Sequence, residues 1–244
     1  MPDNSVVVVA GLGEVGKPLL SILQRTYECV GVDVTPVDLE RSCSVLHICY
    51  PFQLKDFIAT TVNYVLKYDP RLVIINSTVA PNTTRIIQSH LPHHHVIYSP
   101  IRGKHARMES DLLHYTKFVA GFHQEALESA LRHLATAGFT TDTFQTPEIA
   151  ELSKLLETTY FGVLIAWAQE MERFAAQYGA SFEEVNRFIE EISFLPGHIF
   201  PGVIGGHCVM PNLSILKTVV ESPFLVALEE SNNLKQQGLL TRAA

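Results

Sequence analysis

Ser5-Val6-Val7-Val8-Val9-Ala10-Gly11-Leu12-Gly13-Glu14-Val15-Gly16 is the stretch that decides the fold. Ser5 to Ala10 is a short, continuous apolar run, the pattern of a parallel strand buried on both faces. Three glycines follow at once, and helical periodicity runs from Glu14 to Arg25. Gly11 permits a tight turn, Gly13 lets a pyrophosphate approach the backbone, and Gly16 lets helix and strand pack closely. Leu12, Glu14 and Val15 complete a turn whose amides open a helix at its positive end. Asp33 stands 20 residues after Gly13, at the end of the next strand, Cys29 to Asp33. A carboxylate there accepts from ribose hydroxyls. No arginine follows it in Val34-Thr35-Pro36, which favours NAD over NADP as cofactor.

Further strands alternate with helices. Val45 to Cys49 is ended by Tyr50-Pro51, and Gln53 to Tyr68 reads as a helix. Leu72 to Asn76 is followed by Ser77-Thr78, and His95 to Tyr98 by Ser99-Pro100. Lys117 to Ala120 and Thr141 to Phe144 are the last strands, with a helix from Gln124 to Ala137 between them. The repetition predicts an α/β fold with a doubly wound parallel Rossmann sheet. Tyr50, Pro51, Ser77 and Thr78 fall at strand ends, where cofactors bind in such sheets, and are read as cofactor contacts.

The pattern changes at Thr146-Pro147-Glu148. Thr146 suits a helix cap, proline the first helical position, and Glu148 the positive helix end. Helical periodicity then runs to Gly179, about 32 residues or roughly 48 Å. Ser181-Phe-Glu-Glu184 is a capping box opening another helix, and two short helices are expected after Cys208. The boundaries are therefore 1–146 for an NAD-binding Rossmann domain and 147–244 for an all-helical substrate and dimerisation domain with one long central helix. A helix of that length predicts a homodimer paired along it.

The 244 residues are 47% hydrophobic with a formal charge of −7, which argues against nucleic acid or an anionic membrane as partner. Cys29, Cys43, Cys49 and Cys208 show no zinc spacing, and no metal is expected. Three of them lie in or beside strands and read as packing residues of a reduced, cytoplasmic protein. The start, Met1-Pro2-Asp3-Asn4, leads straight into a strand and reads as no signal peptide. His93-His94-His95 reads as the polar lead-in to a strand. Trp167 reads as a core or interface residue.

With these residues in place, the chain resembles the UDP-glucose/GDP-mannose dehydrogenase family, itself related to the 6-phosphogluconate and β-hydroxyacid dehydrogenases. Asn76-Ser77-Thr78-Val79-Ala80-Pro81-Asn82-Thr83-Thr84 looks like the family's Ser-Thr-Val-Pro-Pro-Gly-Thr segment, and Ser99-Pro100 like the start of its Ser-Pro-Glu segment. Ala150-Glu151-Leu152-Ser153-Lys154 through Tyr160 to Gln169-Glu170 looks like its long helix, and Gly205-Gly206-His207-Cys208 like its nucleophile loop. The resemblance implies NAD-dependent oxidation of a primary alcohol on a nucleotide sugar to a carboxylate, by two hydride transfers. It places Cys208 as the covalent nucleophile and Lys154 as the cation that stabilises an oxyanion. Thr78, Thr158 and Asn212 take supporting catalytic positions. His207 is placed to polarise the thiol or contact substrate.

The sequence departs from the family at four places. Thr158 stands where the family has Asn, Asn212 where it has Asp, and Ile101 where it has Glu. A carboxamide is no general base, so hydrolysis of a thioester lacks its usual partner. The chain is also expected to be a short form without the family's C-terminal domain for the nucleotide sugar. Arg102-Gly103-Lys104-His105-Ala106-Arg107, just past a strand end, offers an alternative anchor through Arg102, Lys104 and His105 for a phosphate or carboxylate on the substrate. Two other readings stay open: two-electron oxidation of a small hydroxy acid with Lys154 as acid/base, and a non-catalytic NAD-binding protein.

Overall fold

The computed structural model describes residues 5–33, 37–193, 199–206 and 208–243, and not the side chains of His105 and of residues 240–243. The chain divides into two compact units, Met1–Lys154 and Leu155–Ala244. Among the described residues the first unit holds seven strands: β1 Ser5–Ala10, β2 Cys29–Val32, β3 Ser42–Ile48, β4 Leu72–Ile75, β5 Val96–Tyr98, β6 Lys117–Gly121 and β7 Thr141–Thr143. They form one sheet in the order β2-β1-β3-β4-β5-β6-β7. Every neighbouring pair is parallel except β5 and β6, which run antiparallel. The doubly wound parallel sheet read from the sequence is thus borne out, with one reversed strand pair within it. The connection between β5 and β6 holds a 3₁₀ turn at His105–Arg107 and α4, Met108–His114.

Both faces of the sheet are covered, as the unbroken apolar runs require. Val6, Val8, Ala10, Leu46, Ile48, Val73 and Ile75 pack on one side with α2 (Phe57–Tyr68) and α3 (Thr83–His90). Val7, Val9, Val45, Ile74, Ile97 and Val119 pack on the other with α1 (Gly16–Leu23) and α5 (Gln124–Thr136). Helix α3 was not expected from its sequence. Its eight residues lack a capping side chain of their own, and Asn82, in the cap position, sits at φ 75°. The cap comes from a distance. The Glu151 carboxylate accepts from the backbone amides of Asn82 (2.7 Å) and Thr84 (2.8 Å) and from the Thr84 hydroxyl (2.6 Å). A carboxylate suits that end of a helix.

Glu151 belongs to α6, Pro147–Gln177, whose 31 residues match the long helix expected. Thr146 Oγ1 accepts from the Ile149 amide at 3.4 Å, the capping role read for it. Gly179 turns the chain out of the helix at φ 70°, where a side chain is strained. Ser181 and Glu184 form the expected capping box of α7, Phe182–Glu191. In the second unit α8 spans Val209–Lys217 and α9 spans Pro223–Ala243. Helix α9 has 21 residues, not the short helix expected. Its polar Ser231 and Asn232 interrupt the apolar pattern, yet both are buried and hydrogen-bonded. Among the described residues no helix is long and apolar enough to cross a membrane.

A polar thread crosses the α1/α5 side of the sheet. The Asn76 amide donates to His47 Nδ1 at 3.1 Å, so His47 carries its proton on Nε2, 3.0 Å from His133 Nε2. Tyr27 stacks on His133, ring centres 4.6 Å apart, and its hydroxyl donates to the His133 carbonyl. Burial holds His47 well below the usual histidine range, with His133 and Lys117 acting the same way. Burial alone pushes His133 down to about 4. The unfolded chain protonates His133 below about pH 6.5, the folded chain only near 4, so stability falls with pH across that window. Glu151 titrates in the opposite sense, because burial pushes its carboxyl up to about 7 against its three donors. His133→Gln separates the two. Urea unfolding at several pH values should show the wild type losing about 3 kcal/mol relative to the variant as pH falls from neutral to 4. A gap that stays constant would mean the two rings are not a buried neutral pair.

Candidate active site

Strand order reverses between β1 and β3, with β2 on the far side of β1. Ligands of doubly wound sheets bind in the crevice at such a point, outside the carboxyl ends of the strands. The glycine turn sits there. Gly11 adopts φ 94°, and a Cβ on it would meet the Tyr50 amide nitrogen at 2.5 Å. A Cβ on Gly16 would overlap the Gly11 carbonyl, so turn and helix touch backbone to backbone. Gly13 is exposed, and a Cβ there would meet nothing within 4 Å. Two glycines thus close the turn, and the third leaves open space above it. Leu12 and Val15 are half-buried and Glu14 exposed, and Val15 occupies the cap position of α1.

Asp33 is exposed at the end of β2, and its carboxylate accepts from the Leu12 amide at 3.4 Å. The structure thus joins the acid to the glycine turn. Residues 34–36, whose lack of arginine favoured NAD, lie outside the described residues. Tyr50 follows β3, its hydroxyl 2.6 Å from Thr61 Oγ1. Ser77 Oγ donates to the Tyr50 carbonyl at 2.6 Å, locking the ends of β3 and β4 together. Pro51 is exposed and Thr78 half-buried on either side of that link. The residues read as cofactor contacts therefore line one edge.

The basic cluster after β5 is largely engaged with its own unit. Arg102 donates to the Thr116 carbonyl at 2.7 Å and lies over the Phe118 and Tyr115 rings, at 5.0 and 5.6 Å. Asp111 accepts from the Lys104 amide at 2.9 Å and pairs with Arg107 at 3.0 Å. The Lys104 side chain is exposed. The His105 side chain lies outside the described residues, as does His207. Ile101, where the family has Glu, is buried with the apolar side chains of the α1/α5 face. Sequence reading passed over Lys117, whose buried ammonium donates to the Ser99 carbonyl at 2.7 Å. Its only sequence signal is a lysine opening an apolar strand.

Lys154 is half-buried on α6, and Thr158 follows one turn later on the same helix side. In the second unit Asn212, on α8, donates to Thr158 Oγ1 at 3.2 Å, and that hydroxyl donates to the Leu155 carbonyl at 3.0 Å. The two positions that depart from the family pattern are thus bonded to each other, and both are buried. Cys208 is exposed in the cap position of α8, and Gly206 before it adopts φ 76°. The chain leading to it is fixed from α6 and α9, by residues the sequence reading did not single out for this. Gln169 donates to the Gly202 carbonyl at 2.7 Å. Asn232 accepts from the Ile204 amide at 2.8 Å and donates to its carbonyl at 3.0 Å. Close packing holds α8 against α6, since a Cβ on Gly162 would meet Val209 Cγ1 at 2.7 Å.

Comparisons place this architecture, a doubly wound sheet followed by a helical unit, among known proteins. Residues 148–233 match the family model described as the UDP-glucose/GDP-mannose dehydrogenase family, central domain. The resemblance read from the sequence is thereby borne out. A UDP-N-acetyl-D-mannosamine dehydrogenase of Methanococcus maripaludis is 26% identical over 95% of this chain. The chain spans 66% of that relative's length and 40% of that of a homologous enzyme from Methanococcus vannielii. Among solved structures, the UDP-D-ManNAc dehydrogenase of Pyrococcus horikoshii superposes with a TM-score of 0.82 at 20% identity. That match covers 98% of this chain and 71% of the other. The 3-hydroxyisobutyrate dehydrogenase of Mycobacterium tuberculosis shares the fold, with a TM-score of 0.69 at 14% identity, over 96% of this chain and 93% of its own.

The glycines separate two kinds of constraint. Gly16→Ala should cost about 2–3 kcal/mol in urea unfolding, because a methyl group would be forced into backbone. Gly13→Ala should stay within about 0.5 kcal/mol of wild type. Equal losses at the two positions would refute the assignment. In a double-mutant cycle, Thr158→Ala and Asn212→Ala should couple by about 1 kcal/mol, and strict additivity would mean the bond between them carries no stability.

Proposed function

We propose that this chain is an NAD-dependent oxidoreductase acting on a hydroxyl of a nucleotide-linked sugar. The observation that carries the reading is the open space above Gly13 at the strand-order reversal, bordered by the Asp33 carboxylate. Gly11 to Gly16 would hold the pyrophosphate, Asp33 the ribose, and Tyr50, Pro51, Ser77 and Thr78 the rest of the dinucleotide. NAD bound there would supply the hydride acceptor. The nucleotide sugar as substrate class is taken from the names of the relatives.

Lys154 takes the role of the cation beside the reacting oxygen, stabilising the negative charge that develops on it as the hydroxyl proton leaves to water. Cys208 is the nucleophile. Its sulfur bonds to the aldehyde carbon while the carbonyl oxygen gains a proton, giving a thiohemiacetal. After a second oxidation the carbon is a thioester, and water displaces the sulfur to leave a carboxylate and the thiol. The exposed place of Cys208 at the positive end of α8 supports this role, since a developing anion is favoured there.

One observation favours a second reading. Thr158 gives its hydroxyl proton to Leu155 and receives one from Asn212, so neither side chain offers a base for the hydrolytic step. Oxidation would then stop after two electrons, with Lys154 alone as acid/base.

A homodimer along α6 fits the surface of the second unit. Tyr160, Trp167 and Phe174 recur every seven residues, so they fall near one side of the helix, and they are 60%, 55% and 49% exposed. A cavity of about 300 Å³ lined by Met171, Phe174, Tyr178 and Val185 continues the patch. Burying such a stripe on a second copy removes apolar surface from water. The three other thiols are buried or half-buried, which suits the reduced cytoplasm.

The test counts NADH by absorbance with a panel of UDP- and GDP-sugars. Two NADH per sugar supports the covalent route, and one supports the two-electron route. Cys208→Ser should abolish the former and spare the latter, and Lys154→Ala should lower kcat at least about a hundredfold in either. Full turnover by both variants would refute the site assignment. Gly13→Val should lose NAD binding by calorimetry while keeping its fold. Light scattering should show a dimer that Trp167→Glu dissociates, and a monomeric wild type would remove the pairing proposed for α6.

A further inference from the structure

Among the described residues, Lys117 is the only lysine or arginine that is buried, at 3% exposed, and the mechanism above makes no use of it. It opens β6. Its Nζ donates to the carbonyls of Ser99, at 2.7 Å, and Pro100, at 3.3 Å. Those carbonyls begin the segment that runs past Ile101 to Arg102 at the carboxyl edge of the sheet. Arg102 reaches back to the Thr116 carbonyl, one residue before Lys117. The segment is thus held twice against the start of β6, from within by the lysine and at its far end by the arginine.

An ammonium in such a place is expensive to bury, and an apolar side chain of similar volume would fill the space without that cost. Packing therefore does not account for it. The charged and titratable groups that face it come from several elements: Cys49 and His47 from β3 and its end, Arg102 from the loop, and Lys154 from α6. Burial pushes Lys117 down to about 7, with Lys154 and Arg102 adding to the effect and Cys49 opposing it. Near neutrality it therefore exchanges between charged and neutral forms.

The geometry points to Lys117 as a positioning residue of the candidate active site, fixing the Ser99 to Arg102 segment and setting the charge that Lys154 faces. Its bearing on turnover rests on the reading that places Lys154 beside the reacting hydroxyl. Its structural half does not. The charged form grips both carbonyls and repels the Lys154 ammonium. The neutral amine keeps two N–H donors for the carbonyls and relieves that repulsion.

Lysine side-chain resonances of the whole, ligand-free protein, followed against pH, test the assignment. One resonance, lost in both Lys117→Met and Lys117→Arg, should titrate near 7, and Lys154→Met should move its midpoint upward. The amide resonances of Ile101 and Arg102 should shift with the same midpoint in the wild type. That transition should vanish in Lys117→Met, where the charge is absent, and in Lys117→Arg, where it is fixed. A midpoint in the ordinary lysine range, a midpoint unmoved by Lys154→Met, or an Ile101 transition that survives in Lys117→Met would each overturn the inference. In turnover, the pH profile of kcat/KM should lose a limb near 7 in both variants, which a purely structural role would leave in place. A protein that titrates as described but turns over no substrate would sink the oxidoreductase reading and leave the placement of Lys117 standing.

Discussion

One buried carboxylate ties the long helix to the sheet. Glu151 has no exposed surface, and its oxygens accept three hydrogen bonds from the first turn of α3 and the residue before it. Stripping water from a carboxylate is costly, and the three donors offset that cost only in part, since burial still pushes Glu151 up to about 7. The helix end supplies them, together with its dipole. The register of α6 follows from this contact. With Glu151 fixed, Lys154 falls three residues on and Thr158 one turn beyond that. A one-residue slip would turn both by about 100° around the helix axis.

Much of the fold was legible because local rules and global packing agree there. The apolar run of β1, the glycine turn, the Thr146 cap and the Ser181 capping box each state their structure within a few residues. What was missed depends on partners far along the chain. Helix α3 owes its start to Glu151, 67 residues after Thr84, and no local pattern announces that. The middle of α9 looks polar because Ser231 and Asn232 serve α6 and the loop before Cys208. The sequence shows Lys117 only as a lysine opening an apolar strand, and its carbonyl partners reveal a buried ammonium.

The site shows the same division. The glycines and Asp33 were legible, since their spacing encodes a backbone shape and a carboxylate at a strand end. Arg102 was legible as a cation near the right edge, but its hydrogen bond and two ring contacts turn it inward. Thr158 and Asn212 stood out as separate departures from a family pattern. Their hydrogen bond makes them one unit.

The four thiols differ sharply in access, which gives the molecule a practical property. Burial pushes Cys43 and Cys49 up to about 12 and Cys29 up to about 11, so at neutral pH all three stay protonated, with Cys43 and Cys49 buried and Cys29 half-buried. Cys208 alone among them is exposed, in the cap position of α8, after a glycine-bearing stretch whose carbonyls accept from buried amides. A fluorophore or spin label offered to the native protein would therefore attach at one position. The chain carries its own addressable handle beside the loop whose chemistry is in question, and no engineered cysteine is needed to watch that loop respond to a ligand.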